Sequence, residues 1–248
     1  MLIKDPPSRG ECAVVDKNVT RLRQACGQLV AFTRRYAGQI AAEAGGPGGD
    51  LPAVDRRPVD LNEYTVAVGD FLDALRAELE RWRDRLAAEI GRGRDLRRLR
   101  EELVEGLRQT LRQVTGTLSG CYLGSAIRVV LEQVVPLPAD PVALRQAADW
   151  FAAQLVDPGF DPGPPRPGVE VDLPAVARRF EEPARRLGEV IAELSANETE
   201  VVFARAERDA AAERLRDYSE RAGRYYEALC ELIGNRKLAA RVRRILRG

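Results

Sequence analysis

The chain has 248 residues, 45% of them hydrophobic, which is enough for one large core or two smaller ones and too many for a disordered chain. Its 39 basic and 38 acidic side chains nearly cancel, so any attraction to nucleic acid or anionic lipid has to come from local clusters rather than from a net charge of +1. Histidine is absent, and with it go the commonest general acid and base, the commonest metal ligand and the usual activator of a Ser or Cys nucleophile.

Among the basic residues only Lys4, Lys17 and Lys237 are lysine; the rest are arginine. Arginine forms bidentate contacts with phosphate and carboxylate that lysine does not, although a chain-wide bias toward Arg, Ala and Gly explains the same count. Cys12, Cys26, Cys121 and Cys230 lie far apart with no CxxC pair, and the last three sit among apolar residues. They read as buried free thiols of a reducing, cytoplasmic compartment. The opening MLIKDPPSRGEC has no apolar stretch of signal-peptide length. The longest uncharged run, Val114 to Ile127, is shorter than the roughly 20 residues a membrane span requires.

Apolar residues recur at steps of three and four along nearly every long segment, and alternation over strand length is missing, which predicts an all-α fold. After an N-terminal tail over 1–15, Asp16 is the expected N-cap of a first helix with Val19, Leu22, Cys26, Leu29, Tyr36 and Ile40 on one face. A Pro/Gly linker covers 45–59. Asp60, with Glu63 three residues on, then resembles a capping box opening a second helix striped by Val68, Leu72, Leu75, Leu79, Trp82, Leu86 and Ile90. Gly91-Arg92-Gly93 is expected to break that helix. A third stripe through Leu96, Leu103, Leu107, Leu111 and Leu118 to Val130 completes an antiparallel hairpin over 61–135, with arms of roughly 45 and 55 Å at 1.5 Å per residue.

Pro136 and Pro138 close this first helical unit, 16–135. The second, 136–248, begins at Asp140-Pro141 with a short helix to about Val156, followed by a Pro/Gly-rich linker over 157–172. Asp172 caps a long helix in which Pro183 and Ser195-Ala-Asn197 are the points of expected interruption. Its distal half carries a heptad seam of Ala211, Leu215, Tyr218, Ala222, Tyr225, Leu229 and Leu232. Gly234-Asn235 ends it, and a basic amphipathic helix runs on to Arg247. The predicted whole is an elongated up-and-down bundle of long, antiparallel, coiled-coil-like helices packed as one body. Val59-Asp60-Leu61 and Val171-Asp172-Leu173 each precede an Ala-Glu-Leu, at 77–79 and 192–194. Either a duplicated unit of about 110 residues or repeated capping chemistry accounts for that.

Tests for chemistry come out negative. Glu101-Glu102-x-x-Glu105 resembles the magnesium-binding half of the all-α nucleotide pyrophosphatases, but no ExxD follows on the next stretch. Asp70-x-x-Asp73 lacks the second motif of helical isoprenoid synthases, di-iron bundles need histidine, and no P-loop occurs. No catalytic residue, metal ligand or cofactor is therefore assigned.

Two basic clusters stand out. Arg92, Arg94, Arg97, Arg98 and Arg100 face only Asp95 at the expected hairpin tip, and Arg236, Lys237, Arg241, Arg243, Arg244 and Arg247 have no acid among them. The second set is placed to meet nucleic-acid phosphates, an acidic protein or, with its apolar face inserted, an anionic membrane surface; a docked helix with a solvated face is the plain alternative. Gly116, Gly120 and Gly124 form a small-residue face suited to close helix packing. The expected function is a non-enzymatic scaffold or adaptor of a cytoplasmic assembly, working through protein partners or self-association. The alternative is an accessory subunit that holds nucleic-acid phosphates through its arginine clusters.

Overall fold

The computed structural model describes residues 9–44, 61–122 and 124–247, and the fold is an all-α helical bundle. Six helices occur among the described residues: α1 Arg9–Ala44, α2 Leu61–Cys121, α3 Ser125–Val134, α4 Pro141–Val156, α5 Leu173–Leu232 and α6 Arg236–Arg247. The one β-type feature among them is an isolated bridge between Tyr122 and Pro165.

Several helix starts follow the expected side-chain chemistry. Asp140 accepts a hydrogen bond from the Ala143 N–H at 2.8 Å with Pro141 opening α4, and Asp172 accepts from Ala175 N–H at 3.0 Å at the head of α5. Gly234 adopts φ +75°, the left-handed region that ends a helix, and Asn235 then caps α6 by accepting from Leu238 N–H at 3.1 Å. The linker over 45–59 and its Asp60 cap lie outside the described residues.

Other expectations are corrected. Asp16 is not a cap, because α1 is already helical from Arg9. The hairpin over 61–135 does not exist: α2 runs through Gly91-Arg92-Gly93 without a break. Two glycines cost a helix only about 1 kcal/mol each. The buried stripe also keeps its phase across them, from Leu79 and Leu86 through Gly93 to Leu96, so the helix that continues buries more than one that stops. The interruption comes later, where α2 ends at Cys121 and α3 restarts after an extended Gly124. α5 likewise passes through Pro183 and Ser195-Ala-Asn197. The carbonyl that loses its partner to Pro183 belongs to Arg179, an exposed residue, where water can take over.

The chain forms two compact units, and they are not the two sequence halves. One comprises residues 1–87 with 203–248, the other 88–202, so each draws on both long helices. In the first, α1, the beginning of α2, the end of α5 and α6 surround a core that includes Cys26, Leu29, Ile40, Leu72, Leu79, Leu215, Tyr226 and Val242. Phe32 lies 6.1 Å from the Tyr226 ring, and Tyr226 donates its hydroxyl proton to the Thr65 carbonyl at 3.0 Å. In the second, the remainder of α2, α3, α4 and the beginning of α5 enclose Leu107, Leu118, Ile127, Leu144, Phe151, Phe180 and Leu187, with Phe151 stacked on Phe180 at 5.5 Å.

Element boundaries recur at a fixed interval. Ala44 and Val156 end α1 and α4, Leu61 and Leu173 open α2 and α5, Cys121 and Leu232 close them, and Ser125 and Arg236 open α3 and α6; each pair is 111 or 112 positions apart. The burial pattern shares the interval: Leu111 and Ala222, Leu118 and Leu229, Ile127 and Leu238, Leu131 and Val242, Val134 and Ile245 are all buried. Repeated capping would reproduce helix starts, but not helix ends and core positions as well. The two halves of the chain thus share one three-helix order at this interval, apart from the longer start of α1, and each compact unit takes the leading helices of one half and the trailing helices of the other.

Candidate functional site

The C-terminal helix docks because Leu238, Val242 and Ile245 fall on one face, and all three are buried with Ala239 in the core of the first unit. Its N-terminal end is fixed as well. The Asn235 amide donates to the Glu43 carboxylate at 3.0 and 3.3 Å, and a hydrogen bond from Gln39, seconded by this one, holds that carboxyl below the usual carboxylate range. With Leu238, Val242 and Ile245 inside, the apolar face of α6 is packed in the core and not presented to a lipid surface.

The structure sorts the tail cations by direction. Arg243 turns to α5, where it binds Glu227 and Glu231. Lys237, Arg241 and Arg244 turn to α1 and line a groove of about 740 Å³ with Gln28, Ala31, Phe32, Arg35, Tyr36 and Ile245. Arg241 donates to the Tyr36 hydroxyl at 2.8 Å, and the guanidinium carbons of Arg241 and Arg35 lie 5.5 and 5.6 Å from the centre of the same ring. Arg35, Lys237, Arg241 and Arg244 have no ion-pair partner among the described residues, and no acid lines the groove. Arg236 lines a shallow depression with Glu43, Gly234 and Asn235, which Lys237 also borders, while Arg247 is exposed. Arg35 was not singled out by the sequence, and Tyr36 was read only as part of the apolar face of the first helix. The TRRY of α1 carries no mark that distinguishes it from other Arg pairs.

The cluster over 92–100 is different. It lies in the interior of α2 and not at a tip, and its charge is matched by carboxylates: Arg92 with Glu193 at 3.8 Å, Arg97 with Glu198 at 3.8 Å, Arg98 with Asp95 and Glu102 at 3.7 and 3.9 Å, and Arg100 with Glu101 at 3.9 Å. Arg94 is exposed. Glu101, Glu102 and Glu105 each face an arginine of their own helix. Asp70 and Asp73 pair with Arg34 of α1 at 3.5 and 3.1 Å. Among the described residues no group of acids and thiols is arranged to hold a metal ion. No described helix is long and apolar enough to cross a membrane.

The glycine face expected to pack another helix does not do so. A Cβ on Gly116 or Gly120 would meet nothing within 4 Å, and one on Gly124 would meet the Pro162 carbonyl oxygen of a loop at 2.8 Å. Close helix approach occurs elsewhere, at Gly69 against Thr33, Gly93 against Asn197 and Gly223 against Leu246.

A second groove, about 420 Å³, runs between α2 and α5 of the first unit and is lined by Tyr64, Ala67, Val68, Phe71, Leu72, Tyr218, Arg221, Ala222 and Tyr225. Tyr64, Phe71 and Tyr218 are 48, 46 and 42% exposed, a large aromatic area left in water. Tyr64 meets Tyr225 edge-on at 5.5 Å and Phe71 meets Tyr218 edge-on at 5.0 Å, so each wall braces the other. Among the described residues Arg221 supplies the only charge on the lining, its guanidinium carbon 5.8 Å from the centre of the Tyr218 ring. Comparison with protein-family models, with curated proteins and with solved structures finds no match to this chain.

Proposed function

We propose that this protein is a non-enzymatic helical adaptor that holds one amphipathic helix of a protein partner in the aromatic groove between α2 and α5. The observation that carries the reading is the spacing of the exposed rings. Tyr64 and Phe71 on α2, and Tyr218 and Tyr225 on α5, are each seven residues apart, the interval at which one helix face repeats. A third helix laid along this seam meets two rings from each wall, and aromatic side chains of this kind supply most of the energy at protein interfaces. Arg221 at the groove asks for a carboxylate on the incoming helix. A cytoplasmic setting belongs to the same proposal, since Cys26, Cys121 and Cys230 are free thiols.

A photo-crosslinking amino acid placed at Ala67, within the groove, tests the proposal in the native host. The expected product is a crosslink to one protein through a helix with apolar residues at seven-residue spacing. Phe71→Glu with Tyr218→Glu should then weaken binding of that purified partner at least 100-fold. Crosslinking no stronger than from the exposed Arg216 on α5 would overturn the reading, as would a partner whose affinity survives both substitutions.

A further inference from the structure

We infer that the groove between α1 and α6 is a binding site for the phosphodiester backbone of nucleic acid, read by charge and not by base. Arg35, Lys237, Arg241 and Arg244 converge on it with no acid on its lining. Lys237, Arg241 and Arg244 stand at intervals of four and three residues on one helix face, a row about 10 Å long at 1.5 Å per residue. Phosphates follow one another about every 3.4 Å of axis along each strand of a duplex. The row therefore matches a run of about three phosphates, more than a single phosphate ester presents.

The internal repeat supplies a control for whether these cations are needed for packing. α3 occupies the place of α6 in the first repeat and buries Ile127, Leu131 and Val134 where α6 buries Leu238, Val242 and Ile245. It does so with Ala126, Val130 and Gln133 at the positions corresponding to Lys237, Arg241 and Arg244. The counterparts of Arg35 on α4, Gln146 or Ala147 at the two intervals, are uncharged too. The positions that carry the groove cations are thus uncharged at their counterparts in the other half, so docking of the short helix does not by itself require the charge.

Base readout is not built in. The Tyr36 ring has guanidinium groups of Arg35 and Arg241 beside it and its hydroxyl accepts a hydrogen bond, while Phe32 is buried, so no aromatic face is open for a base to stack on. Lipid headgroups are disfavoured as occupant because the apolar face that would accompany them into a bilayer is in the core.

Fluorescence anisotropy of the full chain with a labelled 20-base-pair duplex, measured from 50 to 300 mM NaCl, tests the site. Four neutralised phosphates predict a log–log salt slope of about −3.6. Lys237→Ser with Arg244→Ser should lower affinity at least 10-fold at low salt and flatten the slope by about 1.8, independent of sequence. Neither residue contacts Tyr36 in the way Arg241 does, so the pair spares that bond. Arg97→Ser with Arg98→Ser, in the neutralised cluster, should leave both readouts unchanged. Absence of duplex binding at 50 mM NaCl, an equal loss from the Arg97 and Arg98 variant, or tighter capture of polyglutamate or phosphatidylserine vesicles than of the duplex would each overturn the inference.

Discussion

Asn197 on α5 lies against the bare Cα of Gly93 on α2, so close that a methyl group on Gly93 would stand 2.5 Å from the Asn197 Oδ1. Asn197 is 3% exposed, and its amide donates to the Glu89 carbonyl at 3.1 Å and to the Glu89 carboxylate at 2.9 Å. A buried asparagine satisfied in only one alignment of two helices fixes their register. Gly93 is the position that leaves room for it.

Gly93→Ala is therefore expected to destabilise the fold by about 1–3 kcal/mol, although alanine is the better helix former by about 1 kcal/mol. Asn197→Ala introduced alongside removes the collision, and the two substitutions should show a coupling above about 1 kcal/mol in a urea-denaturation cycle. A raised melting temperature for Gly93→Ala alone would contradict the geometry.

Glycines on the exposed side of α2 should respond in the opposite sense. Nothing lies within 4 Å of a Cβ built on Gly116, so Gly116→Ala is expected to stabilise the protein by about 0.5–1 kcal/mol through chain entropy alone. Gly69→Ala meets buried Thr33, whose hydroxyl is committed to the Val30 carbonyl at 2.7 Å, and should be destabilising. Thermal melts of the two single variants decide it, since a shared sign would show that packing at these glycines differs from what is described.

The fold class and most of the second half were legible because their signals are local. Asp140-Pro141, Asp172 and Gly234-Asn235 cap helices through atoms three residues away, and sequence adjacency alone is enough to read them. The break expected at Gly91-Arg92-Gly93 does not occur because the buried stripe continues through polar Glu89 and small Gly93, which an apolar pattern does not register. Those residues make sense only opposite Asn197, 104 positions away from Gly93. The same limit applies to the site. The tail arginines were visible as charge, but which of them are neutralised depends on Glu227 and Glu231, and their fourth companion, Arg35, comes from the other end of the chain. The repeat left only tripeptides in the sequence because its positions are matched in burial and not in identity.

Thr65 provides a test of the first core. Among the described residues its hydroxyl is buried with no hydrogen-bond partner, while its carbonyl accepts from Tyr226. Thr65→Val keeps the shape and replaces an unsatisfied polar atom by a methyl group, so a gain of about 1 kcal/mol is expected. Tyr226→Phe should lose about 1 kcal/mol instead, because the hydroxyl it removes is used. Chemical denaturation of both variants checks the pair, and destabilisation by Thr65→Val would mean that the hydroxyl has a partner after all.

Cys230 ties stability to alkaline pH. Burial in the first core pushes its thiol from 9.0 up to about 11, with the nearby Glu43 carboxylate acting in the same direction. Because the folded protein resists forming the thiolate more than the unfolded chain does, the unfolded state gains from deprotonation once pH passes 9. The stability held below that point drains away as pH rises toward about 11. The gap between those values corresponds to about 2–3 kcal/mol. Urea midpoints measured from pH 7 to 11 should fall more steeply for the native chain than for Cys230→Ala, whose fixed cavity cost is independent of pH. Parallel pH profiles for the two proteins would show that Cys230 does not titrate across this range. A thiol reagent at pH 8 should, for the same reason, leave Cys230 unmodified until the protein is unfolded.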